Sequence, residues 1–292
     1  MSNSPFKRLT HSFSANKVAF VSVIALLLIT IAAVFAPSFS PQNPYDLASL
    51  RLEDSRLAPS SQGADGFRYW LGTDAQGRDM LSAILYGLRT SLWIGVASTV
   101  LALSLGTSLG LLAGYYGGRI DSLLMRVADV QLSFPAILIA LILLAVLGQG
   151  SGKILAALVA VQWAFYARTA RGAALVERNK EYVEAAICLG FSTRRIVFRQ
   201  VLPNCLPPLI VVAALQVASA ISLEATLSFL GIGLPITEPS LGLLIANGFQ
   251  YMLSGTYWIS LYPGVALLIT IMSINLVADH LRDVLNPRLQ TL

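Results

Sequence analysis

The segment Leu147–Ile154, LGQGSGKI, is the stretch that most suggests a chemical site, because its glycines and lysine resemble a phosphate-binding Walker A loop. In such a loop the glycine amides cradle phosphates, while the lysine and a hydroxyl contact phosphate and magnesium. Here Leu147 replaces the first glycine and Ile154 replaces the serine or threonine. The segment also joins two apolar runs, where a strand and a helix are required. We therefore predict that the chain has no nucleotide site of its own.

The histidines and cysteines do not form a recognisable catalytic or metal centre. His11 and His280 lie near the two ends of the chain, so no histidine-based triad or haem pair falls within an apolar run. The spacing of Cys188 and Cys205 fits neither a redox CxxC pair nor a zinc site. We predict that both thiols are reduced and that the chain binds no cofactor or metal.

The composition is that of an integral membrane protein. Hydrophobic residues make up 55% of the 292 positions, charged residues make up 12%, and the mean hydropathy is +0.70. The charged share is about half of the roughly 25% found in soluble domains. Because backbone amides in hydrocarbon must be satisfied within their own helix, each crossing needs a helix of about 20 apolar residues. The sequence thus predicts an all-α membrane fold.

Six crossings are predicted from runs with at most one charged residue. They are Val18–Ala36 for span one, Thr90–Gly118 for span two, Val130–Ala167 for a hairpin of spans three and four that turns at Gly148–Gly152, Gln200–Leu230 for span five, and the part of Pro239–Ala278 from about Tyr257 for span six. The chain is thereby divided into a tail at 1–17, a first span at 18–36, a loop at 37–89 and a transmembrane body at 90–292.

The distribution of Lys and Arg predicts that both termini face the cytoplasm, because basic residues are retained on that side. With the N-terminus inside, the cytoplasmic segments hold 14 of the 20 basic residues, namely Lys7, Arg8, Lys17, Arg119, Arg126, Arg168, Arg171, Arg178, Lys180, Arg194, Arg195, Arg199, Arg282 and Arg288. Topology and contact with the lipid bilayer explain the net charge of +5, so no nucleic-acid partner is predicted.

The two long outer segments are predicted to be partly regular. The first loop is expected to be irregular in its first half and to end in a surface helix, because apolar residues recur at helical spacing from Met80 to Leu88. Asp74 and Asp79 do not match the EF-hand spacing and are interpreted as turn and capping residues. Between spans five and six we expect a short helix or re-entrant piece, followed by Tyr257 and Trp258 in an interfacial aromatic belt.

A polar, basic segment at Glu181–Asn204, EYVEAAICLGFSTRRIVFRQVLPN, interrupts the apolar runs. Its first half has one helical face formed by Tyr182, Ala185, Ala186 and Leu189. Gly190 follows at a point where a left-handed helix end favours glycine. Ser192 is predicted to cap a second helix, and Pro203 to mark the start of the next span. The result is a bent helical elbow on the cytoplasmic face.

Two interpretations of this elbow remain open on physical grounds alone. The small residues Ala185, Ala186 and Gly190 leave room for the backbone of another protein. A basic amphipathic helix, here with Arg194 and Arg195, also lies well on anionic lipid.

The elbow resembles the EAA loop of the membrane permeases of ABC importers. That pattern is Glu-Ala-Ala, three residues, Gly, nine residues, Ile, one residue and Leu-Pro. The residues that match it in register are Glu184, Ala185, Ala186, Gly190, Leu202 and Pro203, while Gln200 replaces the Ile. Beyond the elbow, LGTDAQGRDMLSAILYGLRTSL, LSFLGIGLP and LRDVLNPRL are similar to the C-type permease of dipeptide, oligopeptide and nickel importers. Leu241, Ala278 and Asn286 differ from a frequent Trp, Gly and Asp of that family.

The resemblance implies the six-helix fold of type I ABC importer permeases in the inner membrane, and the function of a permease subunit for a peptide or similar small solute. It implies three kinds of protein partner: a homologous permease, two ATPase subunits that bind ATP and Mg, and an external solute-binding protein. The segment 178–203, which contains most of the elbow, would be the cytoplasmic coupling (EAA) loop, and its helix would act as the coupling helix. Its contacts to an ATPase subunit would be Glu184, Ala185, Ala186, Gly190, Ser192, Arg194, Arg195, Leu202 and Pro203.

Glu224 is the one acid inside an otherwise apolar span, where an ionised side chain costs about 2.5 to 3.5 kcal/mol on insertion scales. It either hydrogen-bonds a neighbouring helix, which the small Ala225, Ser228 and Gly231 favour slightly, or lines the solute path. Gln216 and Ser219 of the same span are further path candidates.

Two other classes of function compete with the importer permease. A stand-alone secondary transporter driven by an ion gradient is disfavoured modestly, because no internal repeat is detectable. A membrane-anchored enzyme is poorly supported, because the spans lack a recognisable catalytic set.

Overall fold

The computed structural model describes residues 12–46 and 50–285 and is mainly helical. The helices are α1 (Lys17–Val34), α2 (Ala36–Phe39), α3 (Met80–Tyr116), α4 (Gly118–Leu132), α5 (Ala136–Leu147), α6 (Ser151–Glu177), α7 (Glu181–Cys188), α8 (Thr193–Ile196), α9 (Leu202–Phe229), α10 (Leu241–Phe249) and α11 (Trp258–Leu285). Short 3-10 turns lie at Leu52–Asp54 and Met252–Ser254, and a π-helical segment lies at Val197–Val201. An antiparallel hairpin pairs β1 (Ser61–Gln62) with β2 (Arg68–Tyr69).

Four helical stretches are long and apolar enough to cross a membrane: α1, α3, the continuous stretch Thr193–Phe229 that includes α9, and α11. α4 and α5 together make a fifth candidate, although the chain bends by 92° between them. Four of the six predicted crossings, or five with this bent pair, are thus found, and the sixth stays a prediction. The remaining long helix, α6, has 27 residues and a length of about 40 Å. It is less apolar because it carries four charged residues, Lys153, Arg168, Arg171 and Glu177, and other helices cover much of it.

The predicted surface helix at Met80–Leu88 and the predicted second span are one helix. α3 runs for 37 residues, and its first turns pack into a buried cluster with α10 and α11. Residues 80–116 contain no proline that would separate the two pieces. The boundary that the sequence placed at residue 89 therefore falls inside α3.

The predicted hairpin of spans three and four turns at Gly148–Gly150, as expected, but its first arm is short. α5 has 12 residues, or about 18 Å, against about 30 Å of hydrocarbon. The chain bends before α5 because Pro135 disfavours a helical residue in front of it.

Three glycines at four-residue spacing bring α3 into direct contact with α6. They are Gly106, Gly110 and Gly114. A Cβ on Gly106 would overlap the carbonyl oxygen of Trp163, and a Cβ on Gly110 would overlap that of Ala167. Small residues at this spacing let two helix backbones approach closely. The contact places α6 inside the bundle, where its facing residues Ala164, Ala167, Ala170 and Ala174 are fully buried.

The first loop has more regular structure than its composition indicates. Asp54 is buried and accepts hydrogen bonds from the Tyr69 hydroxyl (3.1 Å) and the Ala64 amide (3.0 Å). Burial and the hydrogen bond to Asp54 raise the pKa of Tyr69 to about 12, so its hydroxyl stays protonated and can donate. The first half of the loop, expected to be irregular, therefore contains a hairpin fixed by a buried carboxylate.

The predicted turn and capping roles of Asp74 and Asp79 are confirmed. The Asp74 carboxylate accepts hydrogen bonds from the amides of Gln76 (2.8 Å) and Arg78 (3.0 Å), and it pairs with Nε of the buried Arg78 (2.6 Å). Asp79 caps α3 by accepting from the Ser82 amide at 2.8 Å. In residues 12–46 and 50–285, no group of three or more His, Cys, Asp or Glu side chains could hold a metal ion.

The segment between α9 and α11 contains the expected short helix, α10. Trp258 is buried, and its Nε1 donates to the carbonyl oxygen of Thr73 (3.2 Å), which fixes the first loop to α11. The predicted place of Trp258 in an interfacial belt is therefore wrong, because this tertiary contact takes its ring inside. Tyr257 is 50% exposed.

Candidate functional site

The elbow consists of α7, a glycine turn and a second helical stretch. Gly190 has a φ of +72°. Its amide donates to the Ile187 carbonyl (2.9 Å), and the Phe191 amide donates to the Ala186 carbonyl (3.1 Å). These two bonds define a Schellman motif, in which a left-handed residue ends the helix and satisfies its last carbonyls. The predicted helix end at Gly190 is confirmed.

The second half of the elbow differs from the prediction, because the helix does not restart at Pro203. Ser192 occupies the N-cap position of α8, but its side chain makes no capping hydrogen bond. α8 continues through the π-helical segment into α9, with Leu202 half-buried at the junction. The π segment ends at Val201, two residues before Pro203, whose ring cannot fit the regular helical hydrogen-bond pattern. The second half of the elbow and span five therefore form one continuous stretch, Thr193–Phe229, which α7 joins through the Gly190 turn.

The inner face of the elbow packs against the chain's own spans. Val183 and Ala186 of α7 are 1% and 2% exposed, and they belong to one apolar cluster with Val201 and with Ala170 and Ala174 of α6. Ala186 thus supports the elbow from within, although the EAA pattern predicted it as a contact to another protein.

The outer face of the elbow is open. It is formed by Glu184, Ala185, Leu189, Gly190, Arg194 and Arg195, all of them exposed. Leu189 is 71% exposed, and no atom lies within 4 Å of the position that a Cβ on Gly190 would occupy. Exposed apolar side chains bordered by charge indicate an interaction surface.

Glu224 is buried among its own helices. Its carboxylate accepts hydrogen bonds from the hydroxyls of Ser91 on α3 (2.8 Å) and Ser228 on α9 (2.8 Å). Gly242 of α10 lies directly on the backbone of Ala225, where a Cβ would overlap the carbonyl oxygen. These contacts correspond to the structural interpretation of Glu224, a hydrogen bond to a neighbouring helix among small residues.

Gln216 and Ser219 do not share one surface with Glu224. Ser219 is exposed and Gln216 is half-buried, and the Gln216 carbonyl accepts a hydrogen bond from Nε2 of Gln162 on α6 (3.1 Å). Sequence reasoning missed Gln162 and Tyr166, two buried polar residues one turn apart on α6. Their polarity within an apolar run was the available signal, because polar groups at such depth are costly.

The segment Leu147–Ile154 forms the end of α5, a glycine turn and the start of α6. It joins two helices, whereas a Walker A loop joins a strand to a helix.

Comparison with protein families shows which family the chain belongs to. Residues 106–291 match the family described as binding-protein-dependent transport system inner membrane component. Residues 4–59 match the N-terminal transmembrane domain of oligopeptide transport permease C. Because the first match covers more than half of the sequence, the chain belongs to the inner-membrane components of binding-protein-dependent transport systems.

Individual relatives agree with this assignment. The chain is 40% identical over 288 residues to the di/tripeptide transport system permease protein DppC of Pseudomonas aeruginosa. The aligned region covers 98% of this chain and 93% of the relative. It is 37% identical over 280 residues to the oligopeptide transport system permease protein OppC of Bacillus subtilis, covering 95% and 88%. Among solved structures, an inward-facing MetNI methionine ABC transporter has a TM-score of 0.57 at 19% identity, over 71% of this chain and 98% of that chain, which shows a shared fold.

The chain is therefore a permease subunit of an ATP-driven importer, held in the inner membrane by several helices. It is a transport subunit and not an enzyme, because ATP hydrolysis in this family belongs to separate subunits. The family predicted from the EAA pattern is confirmed.

Proposed function

We propose that the chain forms one half of a peptide path in a heterodimer with a homologous permease. Two ATPase subunits carry the ATP and Mg, and an external solute-binding protein delivers the peptide. The observation that carries the proposal is the open outer face of the elbow, because it combines small, apolar and basic side chains in a chain that lacks a nucleotide motif. Ser192, Arg194 and Arg195 extend the contact beyond the Schellman turn, while Ala186 and Leu202 support it from behind.

The second half of the elbow is continuous with α9, and α7 packs against Val201 of the same stretch, so a force on the outer face reaches a membrane helix. When the ATPase dimer closes, the elbow would move with the subunit that holds it. The stretch Thr193–Phe229 would then tilt and help change the path from inward-open to outward-open.

We further propose six crossings with both termini in the cytoplasm, counting α6 as one crossing and α4 with α5 as another. Outer segments contact one another: Nε2 of Gln149 donates to the Gly231 carbonyl (2.7 Å), and Trp258 donates to Thr73. The loop up to Asp79 and the segment at 232–257 would therefore form the surface that receives the solute-binding protein.

The orientation is testable by cysteine labelling. Ser61→Cys and Lys180→Cys, each made in a Cys188→Ser background, should react with a membrane-impermeant maleimide from opposite sides of intact cells and inverted vesicles. Labelling of Ser61→Cys only after permeabilisation would reject the orientation.

The transport function is testable by reconstitution of all subunits in liposomes. Uptake of a labelled di- or tripeptide should require the solute-binding protein and hydrolysable ATP, and it should stop with a non-hydrolysable analogue. Peptide uptake by this chain alone, driven by an ion gradient without ATP, would support the stand-alone transporter instead.

A further inference from the structure

We propose that the Tyr182 hydroxyl is a positioning group that makes the elbow move together with α6 and α9. The hydroxyl donates to Oε2 of Glu177 at the end of α6 (2.7 Å) and accepts from Nδ2 of Asn204 in α9 (3.3 Å). One oxygen atom on α7 therefore links the two membrane helices on either side of the elbow. This inference rests on the proposed contact between the elbow and an ATPase subunit.

Both partners of the hydroxyl are themselves held in place. Glu177 is 8% exposed, and its other carboxylate oxygen accepts from Nζ of Lys180 (2.7 Å). The Asn204 amide nitrogen also donates to the Gln200 carbonyl (2.7 Å). Hydrogen bonds to an ionised group are roughly twice as strong as neutral ones. The link thus joins two groups that are already fixed, Glu177 by the turn that follows α6 and Asn204 by its own helical stretch.

The hydroxyl remains a donor throughout the physiological pH range. Burial and the hydrogen bond to Glu177 raise the pKa of Tyr182 to about 12. Proton loss from the phenol therefore does not interrupt the link when the cytoplasmic pH varies.

Arg178 extends the same connection to a third membrane helix. Its Nη1 donates to the carbonyls of Gly114 (3.0 Å) and Tyr115 (3.1 Å) at the end of α3. The last carbonyls of a helix have no partner within it, and a cation there is favourable. A displacement of the elbow is therefore transmitted to α3, α6 and α9 together.

Tyr182 differs from the residues that hold the elbow folded. Val183 and Ala186 fill the apolar cluster beneath α7, whereas Tyr182 is 37% exposed. Loss of its hydroxyl should leave this packing intact and loosen the orientation of α7 relative to the spans. The expected defect is in coupling, with little loss of assembly.

The test uses the complete transporter in liposomes, with peptide uptake and ATP hydrolysis measured in the same vesicles. For Tyr182→Phe we expect uptake per ATP to fall on the order of tenfold, a size consistent with the loss of one charge-assisted hydrogen bond. Bound ATPase subunits and ATP hydrolysis should be retained. The matched control is Tyr116→Phe, which removes a hydroxyl from a tyrosine that is 56% exposed at the end of α3 and should leave the ratio unchanged.

Unchanged uptake per ATP in Tyr182→Phe would overturn the inference, as would a fall of uptake and hydrolysis in equal proportion. If Tyr182→Phe does not assemble, Asn204→Leu tests the same link from the α9 side, and uptake per ATP should fall in the same assay. The Asn204 side chain is exposed, so its loss leaves the apolar cluster complete. A complex of unmodified subunits without ATP-driven uptake would instead contradict the proposed function.

Discussion

Gly110 of α3 and Gly190 of the elbow belong to the same bundle, yet their surroundings differ. At Gly110 an added Cβ would overlap the Ala167 carbonyl oxygen, so the α6 backbone already occupies the space. At Gly190 no atom lies within 4 Å of the same position, and the adjacent Ala185 is exposed. The α3–α6 contact is complete within the chain, whereas the outer face of the elbow has no covering group among the described residues.

The comparison separates two uses of small residues. In α3 they let two helices of one chain pack backbone to backbone, which contributes to folding. In the elbow, according to the proposed function, they keep the outer surface shallow for an ATPase subunit. Substitutions at the first contact should therefore impair assembly, and substitutions at the second should impair coupling.

The largest effect is expected at the α3–α6 contact. Gly110→Val should force the two helices apart and lower stability by more than the roughly 1–3 kcal/mol that overpacking usually costs, because the added Cβ would overlap a backbone atom. We expect a lower melting temperature in detergent and loss of the monodisperse species on size exclusion. Gly172→Val on α6 is the control, because no atom lies within 4 Å of its Cβ position. Equal melting temperatures for Gly110→Val and Gly172→Val would contradict the expected difference between the two sites.

A smaller effect is expected at Glu224, a second contact that is complete within the chain. Glu224→Leu leaves the hydroxyls of Ser91 and Ser228 without their acceptor and should cost about 1–3 kcal/mol. Glu224→Gln retains an acceptor oxygen and should melt close to the unmodified protein. Normal assembly with lost peptide uptake in Glu224→Gln would instead give the carboxylate a role in the path.

The smallest effect on stability is expected on the outer face of the elbow. Ala185→Leu should change the free energy of unfolding by no more than about 0.5 kcal/mol, because the side chain points to solvent. It should nevertheless weaken ATPase binding or uncouple uptake, which pull-down and transport assays would show. Ala185 is preferred to Gly190 here, because a larger residue at the positive φ of Gly190 adds backbone strain. Unchanged ATPase binding and uptake would contradict the assignment of this face.

The features that the sequence predicted correctly depend on local chemistry. The apolar runs, the turn at Gly148 and the helix end at Gly190 follow from hydropathy and from the backbone freedom of glycine. The features that it missed depend on contacts between distant segments. The inward position of Ala186 depends on α6, and the burial of Trp258 depends on the first loop. Neither partner can be identified from residues nearby in the chain.

The continuity of α3 and of the elbow with α9 was also missed. At Arg89 the change in hydropathy suggested a boundary between a surface helix and a span, and at Pro203 the proline favoured a helix boundary. In the structure α3 continues past Arg89 without interruption, while the π-helical segment precedes Pro203. The hydropathy change at Arg89 is therefore not a helix end, and at Pro203 the helix continues through the π-helical segment.

The two cysteines allow the most direct test of the claim that an ATPase subunit covers the outer face of the elbow. Cys188 on α7 is exposed and Cys205 on α9 is buried. In the permease pair without ATPase subunits, a water-soluble maleimide should modify Cys188 and leave Cys205 unmodified, as read by mass spectrometry of this chain. Addition of the ATPase subunits should slow the labelling of Cys188 strongly. Labelling of Cys188 at the same rate in the fully assembled transporter would contradict the account.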